Sequence, residues 1–194
     1  MRKPFFPVGL NLEGRPCVVI GGEEDREAID KSAALREAGA DVLRVYDPAR
    51  LRDEDLADVF FVISTPQDEA LSGRLRALAD RHRFLLCCID QPRHGFVAMA
   101  AIAKAGPVRV AISTAGLAPR IAKTLKNALQ RAMDAKFARF VERLAVLREQ
   151  TQAANPGPER SQLRRREMID AARGFEAEVR LQYPAWFEGD DAER

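Results

Sequence analysis

Short apolar runs alternate with segments of helical period along the first 130 residues. The runs are rich in β-branched and aromatic residues and predict five strands, at Val18–Ile20, Asp41–Tyr46, Val59–Ser64, Phe84–Ile89 and Val108–Ser113. Between them, apolar residues that recur every three to four positions predict helices, one ending at Gly39 and one covering Asp68–Arg83. Strands that alternate with helices at this spacing predict an α/β protein with a parallel sheet.

The remaining segments favour helix. Alanine makes Val97–Ala105 compatible with a helix, and the Gly106-Pro107 turn separates it from the fifth predicted strand. Helical spacing of apolar residues continues afterwards and predicts three further helices, at Arg120–Arg131, Met133–Gln150 and Arg160–Gln182, with a break at Asn155–Pro158.

Composition narrows the class of protein. With 46% hydrophobic and 31% charged residues among 194, the chain is able to bury a sizeable core. A formal net charge of +2 gives no argument for a nucleic-acid partner. No apolar run approaches the roughly 20 residues of a membrane helix. The three cysteines, Cys17, Cys87 and Cys88, have no disulfide or zinc spacing and are interpreted as core residues, so we expect a cytoplasmic protein.

A paired glycine follows the first predicted strand. The order strand, Gly21-Gly22, helix is typical of the first half of a dinucleotide-binding βαβ unit, where glycine lets the backbone approach a pyrophosphate at a helix N-terminus. Glu23 stands where the next glycine of that motif is expected, and acidic side chains compete with a phosphate. The turn predicts cofactor binding by Gly21, Gly22 and Glu23, although the altered motif is weak evidence by itself.

Two further residues lie where a dinucleotide would extend. Asp47 follows the second predicted strand about 26 residues beyond Gly21, near the spacing at which an acidic residue binds the adenosine ribose. The alternative is that Asp47 caps a turn before Pro48. Thr65 follows the third predicted strand and is either a cofactor contact or a turn residue before Pro66.

Several sequence pieces occur together in a recognisable order. They are LNLEGRPCVVIGG, LREAGADVL, VFFVIST, CCIDQP and GPVRVAISTAGLAPRIAKTLKNAL, of which the last is the most specific. From Leu12 to about Trp186 the chain resembles the siroheme-synthase amino-terminal family of precorrin-2 dehydrogenases, some of which are also sirohydrochlorin ferrochelatases.

The resemblance implies an architecture and an activity. It implies an α/β fold, in which a Rossmann-like parallel sheet is followed by a dimerisation region and a small C-terminal helical domain. We expect an NAD-binding domain at residues 1–112, a dimerisation region at 113–132, a helical domain at 133–188 and a mobile tail at 189–194. The implied activity is oxidation of precorrin-2 to sirohydrochlorin with NAD by a homodimer, with ferrous iron as a possible second substrate.

The resemblance also implies roles for single residues. Asp90 matches the family's key acid at the end of the fourth strand, and the alternative is a cap of the turn before Pro92. As acid–base group, Asp90 would accept a proton while the macrocycle loses hydride. His94 follows in the same loop, and Asp90 with His94 would present two donors to a metal, although two ligands without a third are weak support.

The expected substrate-binding residues surround the fifth strand's end and the helix after it. Ser113 and Thr114 match hydroxyl positions of the family, and basic side chains suit the carboxylates of the macrocycle. The expected set is Ser113, Thr114, Gly116, Arg120 and Lys123. Two other functions stay open: a non-catalytic tetrapyrrole- or nucleotide-binding relative with a degraded glycine loop, and an unrelated NAD-dependent reductase.

Overall fold

The computed structural model describes residues 6–190. Four parallel strands form one sheet in the order β2-β1-β3-β4. Their ranges are Pro16–Ile20 for β1, Asp41–Val45 for β2, Phe61–Ser64 for β3 and Leu85–Cys88 for β4. Since chain order reverses between β1 and β3, a crevice is expected at the carboxyl ends of these two strands.

Two helices cover opposite faces of the sheet. The α1 helix, Arg26–Glu37, packs Ala28 and Leu35 on the face that carries Cys17, Val19 and Ile63. The α2 helix, Glu69–His82, covers the other face, and its contribution to that core comes from Leu71, Leu75 and Leu78. Each fully buried aliphatic side chain contributes about 1.5–3 kcal/mol, so the apolar runs of the sequence account for this core.

The predicted helix over Val97–Ala105 is wrong, since residues 97–100 have no regular secondary structure. Ala101–Ala105 is strand β5, which pairs with β6, Val108–Ile112, in a separate two-stranded sheet. A two-residue connection restricts β5 and β6 to a hairpin, and Gly106 supplies the positive φ of 52° that such a turn requires. The hairpin pairing outweighs the helix propensity of alanine. The fifth predicted strand therefore exists but does not extend the parallel sheet.

The chain divides into two compact units. One comprises the described residues up to Ala103 together with Val110–Ala128, and the other comprises Lys104–Arg109 and the described residues from Leu129. The α3 helix is Pro119–Ala132, as the sequence predicts to within one residue at each end.

The second unit is built mainly from two helices, α4 at Ala135–Ala154 and α5 at Ser161–Ala171, which pack on each other. The guanidinium of Arg164 fixes the break between them by donating to the carbonyls of Asn155 and Gly157, each at 2.6 Å.

The prediction of one helix over Arg160–Gln182 is wrong, because α5 ends at Ala171. Gly174 has a φ of 82°, and the apolar residues after it alternate with polar ones rather than following a helical period. A short helix α6, Ala185–Asp190, closes the described chain. Most of the predicted mobile tail, residues 191–194, lies outside the described residues. Within residues 6–190, no helix combines the length and the apolar character needed to cross a membrane.

Candidate functional site

The glycine turn lies at the expected crevice of the sheet. Gly21 directly follows β1, and its N–H donates to the carbonyl of Val45 at 3.0 Å. A Cβ atom on Gly21 would lie 2.3 Å from Thr65 Oγ1, 2.7 Å from Ala28 Cβ and 2.8 Å from Asp25 Oδ2. Gly21 therefore permits close packing of strand, helix and Thr65. A Cβ atom on Gly22 would meet nothing within 4 Å, so the two glycines differ in function.

Asp25 closes the turn from the helix side. Its Oδ1 accepts from the N–H groups of Glu27 at 2.9 Å and Ala28 at 3.2 Å, which makes it the N-cap of α1. The Thr65 hydroxyl lies within hydrogen-bond reach of Asp25 Oδ2 and 3.1 Å from the carbonyl oxygen of Ile20. The hydrogen bond from Thr65 is the main reason why the pKa of Asp25 is below its ordinary value. The first turn of α1 is thus already capped by a carboxylate.

Arg44 is a residue of the turn that sequence reasoning missed. Its Nη2 donates to the carbonyls of Gly21 at 3.2 Å and Gly22 at 2.8 Å, and its guanidinium lies 5.0 Å from the centre of the Tyr46 ring. These contacts hold the glycine turn from the neighbouring strand. The only indication of this role in the sequence is that Arg44 is a single basic residue within the largely apolar β2.

Asp47 follows β2 and caps a short 3-10 helix, Pro48–Arg50. Its Oδ1 accepts from the N–H of Ala49 at 3.0 Å, and its Oδ2 lies 3.4 Å from Arg50 Nε. The capping alternative for Asp47 is therefore confirmed, and binding of a ribose stays a prediction. Glu23 is exposed in the glycine turn.

A cleft of about 790 Å³ lies within the first unit. The exit of β4, the loop after β6 and one edge of α1 line it, so it brings Asp90 into one wall with Ser113, Thr114 and Gly116. The wall reaches α3 at Pro119 and Ala122. Arg120 and Lys123 are exposed on α3 and are not part of the wall.

Asp90 has an unusual backbone conformation. Its φ of 58° lies in the left-handed region, which non-glycine residues rarely adopt and which is common at functional sites. The side chain is exposed, and its Oδ2 accepts a hydrogen bond from Gln67 Nε2 at 3.1 Å. No backbone N–H of the described chain donates to this carboxylate, so it is available to a ligand in the cleft.

The His94 side chain contacts Glu69 rather than Asp90. Its Nε2 lies 2.6 Å from Glu69 Oε1, and Glu69 also pairs with Arg93. No group of three or more histidine, cysteine, aspartate or glutamate side chains suited to a metal occurs within residues 6–190. The metal site formed by Asp90 and His94 therefore stays a prediction without a supporting third ligand.

The loop after β6 is shaped by its own hydroxyl groups. Ser113 Oγ accepts from the N–H of Ala115 at 3.2 Å, and Thr114 Oγ1 accepts from the N–H of Ala118 at 3.3 Å. Ala115 and Gly116 have positive φ angles of 52° and 75°. This tight loop presents its backbone to the cleft just ahead of α3.

Two charged residues of α1 also line the cleft and were missed. Lys31 Nζ lies 3.6 Å from Glu27 Oε1, and the Lys31 side chain is only 24% exposed.

Cys87 also lines the cleft, and burial raises the pKa of its thiol to about 11. A protonated, buried thiol is a poor nucleophile, which agrees with the interpretation of Cys87 as a core residue.

The sheet order, the glycine turn at the crevice and the helix behind it define the chain as a Rossmann-type protein. Residues 8–101 match a family model described as putative NAD(P)-binding. Siroheme synthase from Methylococcus capsulatus is 29% identical over 208 residues, which cover 98% of this chain and 42% of that relative. Siroheme synthase 1 from Yersinia enterocolitica is 32% identical over 145 residues, which cover 65% of this chain and 30% of that relative. The chain is similar to the amino-terminal part of siroheme synthases, which agrees with the resemblance that its sequence motifs carry.

The solved structures agree on the fold. A structure described as "SirC, precorrin-2 dehydrogenase" has a TM-score of 0.63 and 20% sequence identity, covering 88% of this chain and all of that one. This similarity confirms the Rossmann-like α/β fold. The chain spans less than half the length of the siroheme synthases that it matches.

Proposed function

We propose that the protein oxidises precorrin-2 to sirohydrochlorin with NAD as the hydride acceptor, as a step of siroheme biosynthesis. The main support is the cleft, which is lined by the left-handed Asp90 together with Ser113, Thr114 and Gly116 and belongs to the unit that carries the glycine turn. Similarity to the amino-terminal part of siroheme synthases supports the same reaction.

The glycine turn fits a dinucleotide. Open space at Gly22 allows a pyrophosphate to approach the backbone, and the packed position of Gly21 keeps the turn in place. The backbone of Gly21, Gly22 and Glu23 would line the phosphate site, since the Glu23 carboxylate itself repels a phosphate. Thr65 would support the turn, and Asp47 would lie near the adenosine end. Because Asp25 already caps α1, the phosphates meet the turn rather than the first N–H groups of the helix. NAD supplies the hydride acceptor when it is bound.

The cleft fits a macrocycle that carries carboxylates. Lys31 offers a partly buried ammonium group, while Ser113, Thr114 and the backbone of Gly116 offer hydrogen bonds. Arg120 and Lys123 attract carboxylates from outside the wall. Asp90 accepts the proton that the macrocycle releases as its hydride passes to NAD, so the two electrons and the proton are accounted for. Insertion of ferrous iron would need donors beyond Asp90, since His94 is engaged by Glu69.

Anaerobic incubation with precorrin-2 and NAD tests this function. We expect sirohydrochlorin and NADH to form in equal amounts, followed by their absorbance, and no product to form without NAD. Macrocycle binding without NADH formation would favour the alternative of a non-catalytic binding protein. Absence of NAD affinity at millimolar concentration would exclude the dehydrogenase.

A homodimer is the expected assembly, since the family resemblance implies it. Two large apolar side chains near the start of α3 are exposed: Ile121 on the helix is 55% exposed, and Leu117 before the helix is 75% exposed. We expect a dimer at micromolar concentration by sedimentation velocity, and Ile121→Glu should shift it towards monomer. A wild-type monomer under these conditions would contradict the proposal.

The cellular location follows from the cysteines. Cys17, Cys87 and Cys88 are all free and buried, which suits a reducing compartment. We therefore propose that the protein acts in the cytoplasm.

A further inference from the structure

Glu69, the first residue of α2, contacts three side chains of the loop that follows β4. Its Oε2 accepts from Gln91 Nε2 at 3.3 Å and from Arg93 Nη2, and its Oε1 lies 2.6 Å from His94 Nε2. One carboxylate on a regular helix thus holds loop side chains at three positions. The hydrogen bond from Arg93, followed by that from His94, lowers the pKa of Glu69, so the carboxylate stays ionised.

Two neighbours of Glu69 tie down the same loop. Gln67 Nε2 donates to Asp90 Oδ2 at 3.1 Å. The hydroxyl of the fully buried Ser72 donates to Gln91 Oε1. Gln67, which lies just before α2, therefore contacts Asp90 directly, and the first turn of α2 contacts the residues after Asp90 through Glu69 and Ser72. We call this set of contacts from Gln67, Glu69 and Ser72 the α2 clamp.

The clamp explains how Asp90 keeps its backbone conformation. A non-glycine residue with a φ of 58° is in a sparsely populated region, and such a conformation persists only where the surroundings over-determine it. The residue after Asp90 is Gln91, and α2 holds both the oxygen and the nitrogen of its side-chain amide. Without the Glu69 carboxylate, Arg93 and His94 would lose these contacts to α2, and Gln91 would keep only its contact to Ser72.

We propose that Glu69 is a positioning residue for the dehydrogenation, which holds the loop after β4 so that the left-handed Asp90 presents its carboxylate to the cleft. The inference rests on the proposed function, because Asp90 is the group through which Glu69 acts. Small displacements of a reacting group are costly, and an error of about 1 Å is able to lower a rate by about 10²-fold.

A double-mutant cycle tests whether Glu69 acts through Asp90. Glu69→Ala should lower kcat by roughly 10–100-fold, with KM for precorrin-2 and Kd for NAD within about twofold of wild type. In the Asp90→Asn background, Glu69→Ala should have no further effect, because residues that act as a unit are not additive. Asp53→Ala is the matched control: it removes the carboxylate that pairs with Arg74 of the same helix and should leave kcat unchanged.

A second measurement does not depend on activity. In a crystal structure of Glu69→Ala, Asp90 should leave the left-handed region or become disordered, whereas the parallel sheet should be unchanged. An Asp90 that keeps its conformation, or an equal loss of rate from Glu69→Ala with and without Asp90, would overturn the positioning role. A wild-type protein that forms no sirohydrochlorin would instead overturn the proposed function, and the crystal structure would still decide whether Glu69 holds Asp90.

Discussion

Asp90→Asn should form sirohydrochlorin about 10²–10⁴-fold more slowly than the wild-type protein, because the substitution removes the group that accepts the proton. Asparagine has the size of aspartate and tolerates the left-handed region, so it suits the φ of 58° at this position. Its side-chain oxygen still accepts the hydrogen bond from Gln67. The fold and the cleft should therefore be preserved, and the lost rate reports on the chemistry.

Melting temperature, NAD affinity and product formation should be measured on one preparation of Asp90→Asn. We expect the first two to match the wild-type values, because Asp90 lies in the cleft wall and not in the glycine turn. If Asp90 merely capped the turn before Pro92, its substitution would lower the free energy of unfolding by on the order of 1 kcal/mol and would change turnover little. Full activity of Asp90→Asn would therefore remove Asp90 from the mechanism.

The parallel sheet could be predicted because each of its strands is recognisable from its own residues. The apolar residues of β1 and β3 are buried on both faces, and each strand contains a run of three consecutive β-branched or aromatic residues. Helix α1 is equally local, with a capping aspartate at its start and a glycine just after its end. These features need no knowledge of the rest of the chain.

The two wrong predictions concern segments whose local signal is ambiguous. Ala101–Ala105 has the composition of a helix, and only its pairing with β6 makes it a strand. The segment after Ala171 has enough charge to suggest a continuing helix, but the left-handed Gly174 ends the helical path. In both segments a tertiary contact or one backbone angle decides the outcome.

The site was predictable where a residue ends a strand. Gly21 and Asp90 each lie just after a strand of the parallel sheet, so sheet topology alone brings them to the same end of that sheet. Arg44 and Glu69 were not predictable in this way. Arg44 reaches the glycine turn from the neighbouring strand, and Glu69 reaches the loop after β4 from another helix. Such contacts depend on strand order and loop path, which the sequence pattern does not specify.

A substitution in the glycine turn should abolish cofactor binding without changing the stability of the fold. Gly22→Val should abolish NAD binding, because the new side chain would occupy the open space through which a pyrophosphate approaches the backbone. Since nothing of the protein lies within 4 Å of a Cβ atom at Gly22, the free energy of unfolding should change by no more than about 0.5 kcal/mol. Calorimetric titration with NAD and thermal melting measure the two quantities.

Gly21→Ala is the matched comparison for Gly22→Val. Its methyl group would lie 2.3 Å from Thr65 Oγ1 and 2.7 Å from Ala28 Cβ, so strand, helix and threonine would have to separate. Overpacking of this kind costs about 1–3 kcal/mol. We therefore expect Gly21→Ala to melt at a lower temperature, while Gly22→Val keeps its melting temperature and loses NAD. If Gly22→Val binds NAD with wild-type affinity, the pyrophosphate does not lie at this turn, and the turn's contacts with Asp25, Thr65 and Arg44 serve the fold alone.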